Sequence, residues 1–396
     1  MHVIYSQENA PEFMTKSLFL AGPSPRDKDH PNWRPEALKI LEELGYDGVV
    51  FVPIPRDGKW PKTYSDQVDW EAKHLNMADL IVFWVPRDKE KLPALSTNTE
   101  FGMWNGTGKC VLGYPEDAPS MRYLQHLADM EKVPSFHSLP SMLGWVVNSL
   151  GAGSLRAGGQ REVPLYIWNT PSFQAWLKAQ EGAGNRLEGA KVVWTFRVGP
   201  EKTFVFFWAL HVDVYIKEED RHKTNEVVLG RPDISTIVAY QPIRAEDDDA
   251  CAPHNAFMDT PIVLVREFRS PAVTPDGFIR ELPGGSSWKP GENALVVASE
   301  ELHEETGLKV DANRFKFVDA RQVTGTLSSH FGHVFTVELT AEEMKTIRDE
   351  VGSGKTHGVT EDTEKTYVEM TTVRELIGPD NVDWANTGMI LTALLR

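Results

Sequence analysis

Between residues 16 and 113 the chain alternates four short apolar runs with three stretches that read as helix or turn, and each apolar run stops at a loop. The apolar runs are "KSLFLAGPSP" (16–25), "DGVVFVPIP", "LIVFWVPR" and "KCVLGYP". Between them lie "WRPEALKILEELGY", with Pro35 near a helix start, "DQVDWEAKHLNMADL", and "TEFGMWNGTG", which begins a helix or tight turn. Short apolar runs bounded by turn residues read as buried strands. Strands alternating with helices leave one main solution, a doubly wound parallel sheet with helices on both faces. This α/β unit is expected to end near residue 150, where "NSLGAGSLRAGGQREVP" has linker composition.

From about residue 163 the texture changes. "KVVWTFRV" and "TFVFFWALHVDVYI" read as strands, and "EDRHKTNEVVLG" as a turn between strands. Further strands follow in "DISTIVAYQPI", "PIVLVREFR", "FIRELPGG", "RFKFVDARQV", "GHVFTVEL" and "KTYVEMTTV". One helix among many strands implies an α+β sandwich. The expected division is 1–150 for the first domain, 151–225 for a linker and an N-terminal extension of the second, and 226–396 for the second. A length of 396 residues suits two or three domains.

With 41% apolar and 25% charged residues the chain is globular in composition. A formal net charge of -16 argues against a nucleic-acid polymer as partner. It leaves small phosphorylated substrates open, because a divalent cation reverses the local field. Cys110 and Cys251 match no metal spacing and make no disulfide framework, so a reducing cytoplasm is the expectation. No basic segment followed by an apolar run opens the sequence, and no stretch reaches the roughly 20 apolar residues of a membrane helix.

The acidic residues are concentrated. "ELPGGSSWKPGENALVVASEELHEETGL" (281–308) places Glu300, Glu301, Glu304 and Glu305 on one short helix. Glu301 and Glu305 are i,i+4 and share a face, and Glu304 is i+3 from Glu301. Like charges so placed repel unless a cation compensates, and oxygen ligands on a rigid face suit Mg²⁺ or Mn²⁺.

This stretch resembles the Nudix box, through Gly285, Glu292, Glu301, Leu302, Glu304, Glu305, Gly307 and Leu308. It departs from the family pattern in one extra loop residue and in Glu300, where an Arg is usual. The resemblance implies a Nudix α/β/α sandwich that hydrolyses a nucleoside diphosphate linked to a group X. Glu301 and Glu305 would bind metal, with Glu304 a further ligand or base. "VLVREFR" and "FIRELPGG" look like the ADP-ribose or nucleotide-sugar pyrophosphatase branch. That likeness makes Glu281 an extra metal ligand, Arg266 and Arg269 phosphate contacts, and Glu361 or Glu364 a late-loop catalytic group.

A second acidic site is expected upstream. "STNTEFG" (96–102) follows a strand in a parallel sheet, where ligands bind beyond strand C-termini. With Leu20-Ala21-Gly22-Pro23 and Ala78-Asp79, it resembles the nucleoside 2-deoxyribosyltransferase family, which includes nucleotide N-glycosidases. The resemblance covers roughly residues 16–125. It implies Glu100 as nucleophile on the anomeric carbon and Glu71 as the acid that handles the proton of the base. Gly22, Pro23, Asp79 and Asn98 would contact substrate. Trp70, Trp84 and Trp104 either stack on a base or fill a core. Both families imply a homo-oligomer. The combined expectation is a bifunctional enzyme of nucleotide metabolism. Its rivals are a nucleotide sensor with degenerate sites, and a Nudix hydrolase whose first domain only oligomerises.

Overall fold

The computed structural model describes residues 1–25, 32–243, 253–287, 289, 291–358, 364–376, 378 and 382–396. The chain forms two compact units, Met1–Gly230 and Arg231–Arg396.

In the first unit six strands form one parallel sheet: β1 (His2–Tyr5), β2 (Ser17–Ala21), β3 (Val49–Val52), β4 (Leu80–Trp84), β5 (Cys110–Gly113) and β6 (Ser135–Phe136). Their spatial order is β1-β3-β2-β4-β5-β6. The connecting helices are α1 (Arg34–Glu43), α2 (Tyr64–Met77), α3 (Leu95–Trp104), α4 (Arg122–Glu131) and α5 (Leu139–Leu150). Alternate strand residues point to opposite faces, and both faces are apolar because both are covered. Leu18, Leu20, Val50 and Val82 pack with Ala37 and Leu41 of α1 and with Met142 and Val146 of α5. Phe19, Phe51, Ile81 and Phe83 pack with Leu75 of α2, Phe101 of α3 and Leu124 of α4. From β2 the chain moves outward to β3, then crosses back to β4 on the other side. That reversal opens a crevice at the carboxyl ends of β2 and β4.

The first unit runs past the expected boundary. After the short helix Leu165–Trp168 come α6 (Pro171–Gly182) and an antiparallel sheet of β7 (Arg186–Val198), β8 (Phe204–Ile216) and β9 (Arg221–Gly230), ordered β9-β8-β7. Val163, Ile167, Phe173, Trp208 and Leu210 join the same core as Leu18 and Val82. Residues 151–225, expected to extend the second domain, therefore bury their apolar face in the first. Linker-like composition misleads here because Arg156 and Ala157 pair with Phe13 and Met14. "EDRHKTNEVVLG", expected as a turn, supplies β9. Among the described residues it pairs only with β8, so its charged residues stay in water.

In the second unit a mixed seven-stranded sheet contains β10 (Ile234–Tyr240), β11 (Pro261–Phe268), β12 (Phe278–Glu281), β13 (Gly284–Gly285), β14 (Lys316–Gln322), β15 (Phe331–Glu338) and β16 (Tyr367–Thr372). The main path is β12-β11-β10-β15-β14, with β13 paired to β10 and β16 to β11. α7 (Ala294–Thr306) and α8 (Ala341–Glu350) cover one face through Ala298, Leu302, Met344 and Ile347. α9 (Trp384–Leu394) covers the other through Ile390 and Ala393. α8 opens with a capping box between Thr340 and Glu343.

Candidate functional site

The crevice of the first unit is built on close approach. Gly22 follows β2 with φ +146°, and a Cβ there would lie 2.2 Å from the carbonyl oxygen of Trp84. Only glycine fits both the dihedral and the contact. Arg34, the first residue of α1, is fully buried under this turn. Its Nε donates to the Leu20 carbonyl at 3.0 Å and its Nη2 to the Gly22 carbonyl at 2.7 Å. Nη1 reaches Ser24 Oγ at 3.1 Å and the Pro23 carbonyl at 3.5 Å. Burial lowers the Arg34 pKa to about 10, while Glu100 and Glu71 act in the opposite sense.

Glu71 stands on α2, one turn after Gln67, whose Nε2 donates to Glu71 Oε1 at 2.7 Å. Gln67 is itself fixed, donating to the Pro53 carbonyl at 3.1 Å and accepting from Ser6 Oγ. Glu100 stands on α3, which starts after Ala94 in a left-handed conformation (φ +57°). That conformation costs a non-glycine residue about 1–2 kcal/mol. Burial, and then the charge of Glu71, raise the Glu100 pKa to about 7 against the pull of Arg34. Burial also raises Glu71, opposed by the Gln67 hydrogen bond and by Arg34. The structure thus brings Glu71, Glu100 and the unanticipated Arg34 within electrostatic reach of one another at the crevice. Asn98 accepts a hydrogen bond from Arg87 Nη2, and Arg87 Nη1 ties to the Ser120 carbonyl at 3.0 Å. Pro23 lends its carbonyl to Arg34.

Asp79 is not part of this group. It precedes β4, at the amino end of the sheet, where Leu80 is level with Leu18. Its carboxylate is buried against Arg156 at 2.6 and 2.8 Å and accepts from the backbone N–H groups of Ser17 (2.8 Å) and Leu165 (3.0 Å). The expected substrate contact is therefore corrected to a structural ion pair that staples residues 156–165 to the sheet. Trp70 stacks on His74 at 4.1 Å and donates Nε1–H to the Glu8 carbonyl, and Trp84 is buried, so both are core residues.

In the second unit α7 carries Glu301 and Glu305 toward the Gly284–Gly285 strand. Glu305 is 4% exposed, and one of its oxygens accepts from Gly284 N at 2.9 Å. A Cβ on Gly285 would lie 2.2 Å from Glu301 Oε1, and one on Gly284 would lie 2.4 Å from the Ser235 carbonyl oxygen. These glycines are needed for close approach. Neither has the positive φ that a conformational explanation would require. Arg269 joins the acids: its Nε and Nη2 donate to Glu281 Oε1 at 2.9 and 2.7 Å, and Nη2 lies 2.8 Å from Glu267.

Burial and the charges of Glu304, Glu364 and Glu300 raise Glu301 to about 7. Burial and then Glu301 push Glu305 well above the usual carboxylate range. Burial also raises Glu267 to about 7, opposed by Arg269 and reinforced by Glu281 and Glu364. Glu364 is thus near the cluster, as is Glu304; Glu361 lies outside the described residues. Arg266 is engaged elsewhere, 2.7 Å from Asp276, 3.9 Å from Glu369 and over the Phe278 ring at 4.1 Å. That is surface ion pairing in place of the expected phosphate contact.

Among the described residues no three His, Cys, Asp or Glu side chains stand close enough to hold a metal ion as placed. The donor chemistry nevertheless fits a hard divalent cation. All donors are carboxylate oxygens, and their buried charges raise one another's pKa values.

Sequence reasoning missed Arg34, Gln67 and Glu267. Arg34 draws its role from loop carbonyls ten or more residues away, whereas Gln67 beside Glu71 and Glu267 beside Arg269 stood at local spacings that could have been read. No curated protein matches the chain. Residues 15–118, which include Gly22, Arg34, Glu71, Asn98 and Glu100, match the family described as nucleoside 2-deoxyribosyltransferase like. The first unit therefore carries a nucleoside 2-deoxyribosyltransferase-like domain.

Proposed function

We propose that the first unit breaks or exchanges the N-glycosidic bond of a nucleoside or nucleotide, with Glu100 and Glu71 in complementary roles. One observation carries this reading: two half-buried carboxylates, both raised by burial, stand with Arg34 at the sheet's topological crevice, where the Glu71 charge raises Glu100 further and Arg34 opposes both shifts. Repulsion between them favours one ionised and one protonated group near neutrality. Ionised Glu100 attacks or stabilises the anomeric carbon as the C–N bond breaks. The bonding pair leaves with the base, and Glu71 supplies its proton. Water or a second base then takes the sugar from Glu100. Asn98 and the Gly22–Pro23 backbone are the proposed sugar contacts.

The pH dependence tests the pairing. kcat/KM for release of free base falls on both sides of neutrality. In Glu71→Gln the neighbouring charge is gone, so Glu100 ionises at lower pH. The acid limb of the residual activity moves to lower pH. An acid limb that stays where it was would remove Glu71 from the site.

For the second unit we propose Nudix-type hydrolysis of a phosphoanhydride in a nucleoside diphosphate derivative. The support is the buried carboxylate cluster and the box-like spacing that builds it. Glu301 and Glu305, with Glu281 and Glu304, would hold Mg²⁺ or Mn²⁺. Bound there, the cation would neutralise pyrophosphate charge and acidify a water. Gly284 N–H orients Glu305, and Arg269 holds Glu281 in place. Glu301→Gln is expected to lower metal-dependent turnover of ADP-ribose or a nucleotide sugar by about 100-fold or more. Chromatography of products from wild type and variant checks this. Wild type that forms no product but melts higher with these ligands would favour a sensing role.

A further inference from the structure

A cavity of about 230 Å³ opens at the amino end of the parallel sheet, away from Gly22 and Glu100. Leu80 and Cys110, the first residues of β4 and β5, form part of its floor, and the β7–β8 turn closes one side. Its charge is unusual for a crevice in so acidic a chain. Arg197 lies against Gly108, whose added Cβ would sit 3.0 Å from the guanidinium carbon. Among the described residues no carboxylate lies within ion-pair distance of Arg197. Lys132 and Lys202 line the same cavity. Both hold left-handed backbone, at φ +56° and +47°, among only six non-glycine residues with positive φ in the described chain.

Glycine would occupy those two positions without strain, so a lysine there retains its side chain at a conformational cost. Strain of this kind gathers at ligand sites. Three carboxylates also line the cavity, those of Asp79, Glu131 and Glu201. Glu131 is taken by Lys202 at 3.2 Å, leaving Glu201 against Arg197 and Lys132. The Asp79 charge is already matched by Arg156. A net positive charge remains.

Much of the remaining wall is apolar. Trp145 is 36% exposed and turns its ring toward Phe136 at 6.0 Å. Val133, Leu165 and Val205 line the cavity with it. The volume is below the roughly 300–1,000 Å³ of pockets for drug-sized ligands, so it suits a single ring system and one acidic group.

We propose that this cavity is a second ligand site in the first unit, separate from the Glu100 crevice, for a small aromatic anion. The ring lies against Trp145 and the apolar wall. The phosphate or carboxylate meets Arg197, with Lys132 and Lys202 adding long-range attraction.

Calorimetric titration of the full chain with 1-naphthyl phosphate tests both halves of the proposal. Saturable binding of one molecule per chain is expected, with inorganic phosphate and 1-naphthol each at least about tenfold weaker. Arg197→Met weakens the naphthyl phosphate about tenfold or more, whereas Glu100→Gln does not change it. Lys132→Gly gives a check that does not depend on how Arg197→Met folds. It releases the left-handed strain, so melting rises by about 2 °C while affinity falls about threefold. Undiminished affinity in both Arg197→Met and Lys132→Gly, or no saturable binding to wild type, overturns the assignment.

Discussion

On the proposed reading, Glu100→Gln is expected to lower kcat for release of free base by about 1,000-fold or more, while leaving the hydrolysis proposed for the second unit unchanged. The amide keeps the shape of the side chain but can neither attack the anomeric carbon nor stabilise positive charge there. The same variant carries a stability signature. Burial lifts Glu100 from the ordinary carboxylate value of 4.5 to about 7, so the folded chain holds a proton that the unfolded chain has lost between those values. The favourable contribution of neutral Glu100 is therefore full below about pH 4.5 and is lost as pH rises through about 7. Glu100→Gln should melt above wild type beyond pH 7, and the difference should vanish near pH 4. Product chromatography and melting curves across that range check both effects. Wild-type turnover by the variant would return Glu100 to a purely structural role.

Arg156→Met is expected to destabilise the first unit by about 3–5 kcal/mol. Arg156 and Asp79 are 0% and 1% exposed, and the pair closes at 2.6 Å. Removing the guanidinium leaves Asp79 charged in the core, with Ser17 and Leu165 as donors but no counter-ion. The Val163 carbonyl, at 2.6 Å, loses its Arg156 donor, and the Thr15 carbonyl, at 3.2 Å, keeps only the Ser154 N–H at 2.8 Å. Urea unfolding followed by tryptophan fluorescence reads the loss. The double variant Asp79→Leu/Arg156→Met should recover most of it, because the two charges vanish together. If Asp79 contacted substrate, Asp79→Asn would raise KM with unchanged stability; the fold places the whole effect on stability.

The parallel layer was legible because its strands are uninterrupted apolar runs and its helices carry their own periodicity. Glu71 and Glu100 were legible through the family resemblance of "STNTEFG" and of the helix before it, not from acidity alone. The place of Asp79 could also have been read, since it stands before a strand and ligands gather beyond strand ends. The Ala78-Asp79 likeness outweighed that rule. Arg34 was invisible for another reason. Its partners are the carbonyls of a loop that exists only once β2 and β4 meet, and carbonyls carry no sequence identity. β9 went unread because an edge strand needs no apolar alternation. The fate of residues 151–225 depended on which core accepted Trp208 and Phe173, and composition does not specify an address.

The shared core around Val163, Trp208 and Leu18 has a consequence for how such a protein can be cut and recombined. The stretch matching a known family ends at residue 118, yet the cover of its own sheet arrives as late as Val212. A fragment trimmed to the match would show bare hydrophobic strands and an unpaired aspartate to water. Gene shuffling at that seam would yield aggregates. A seam at Gly230, where one compact unit gives way to the next, transplants the crevice of the parallel sheet with everything that keeps it folded.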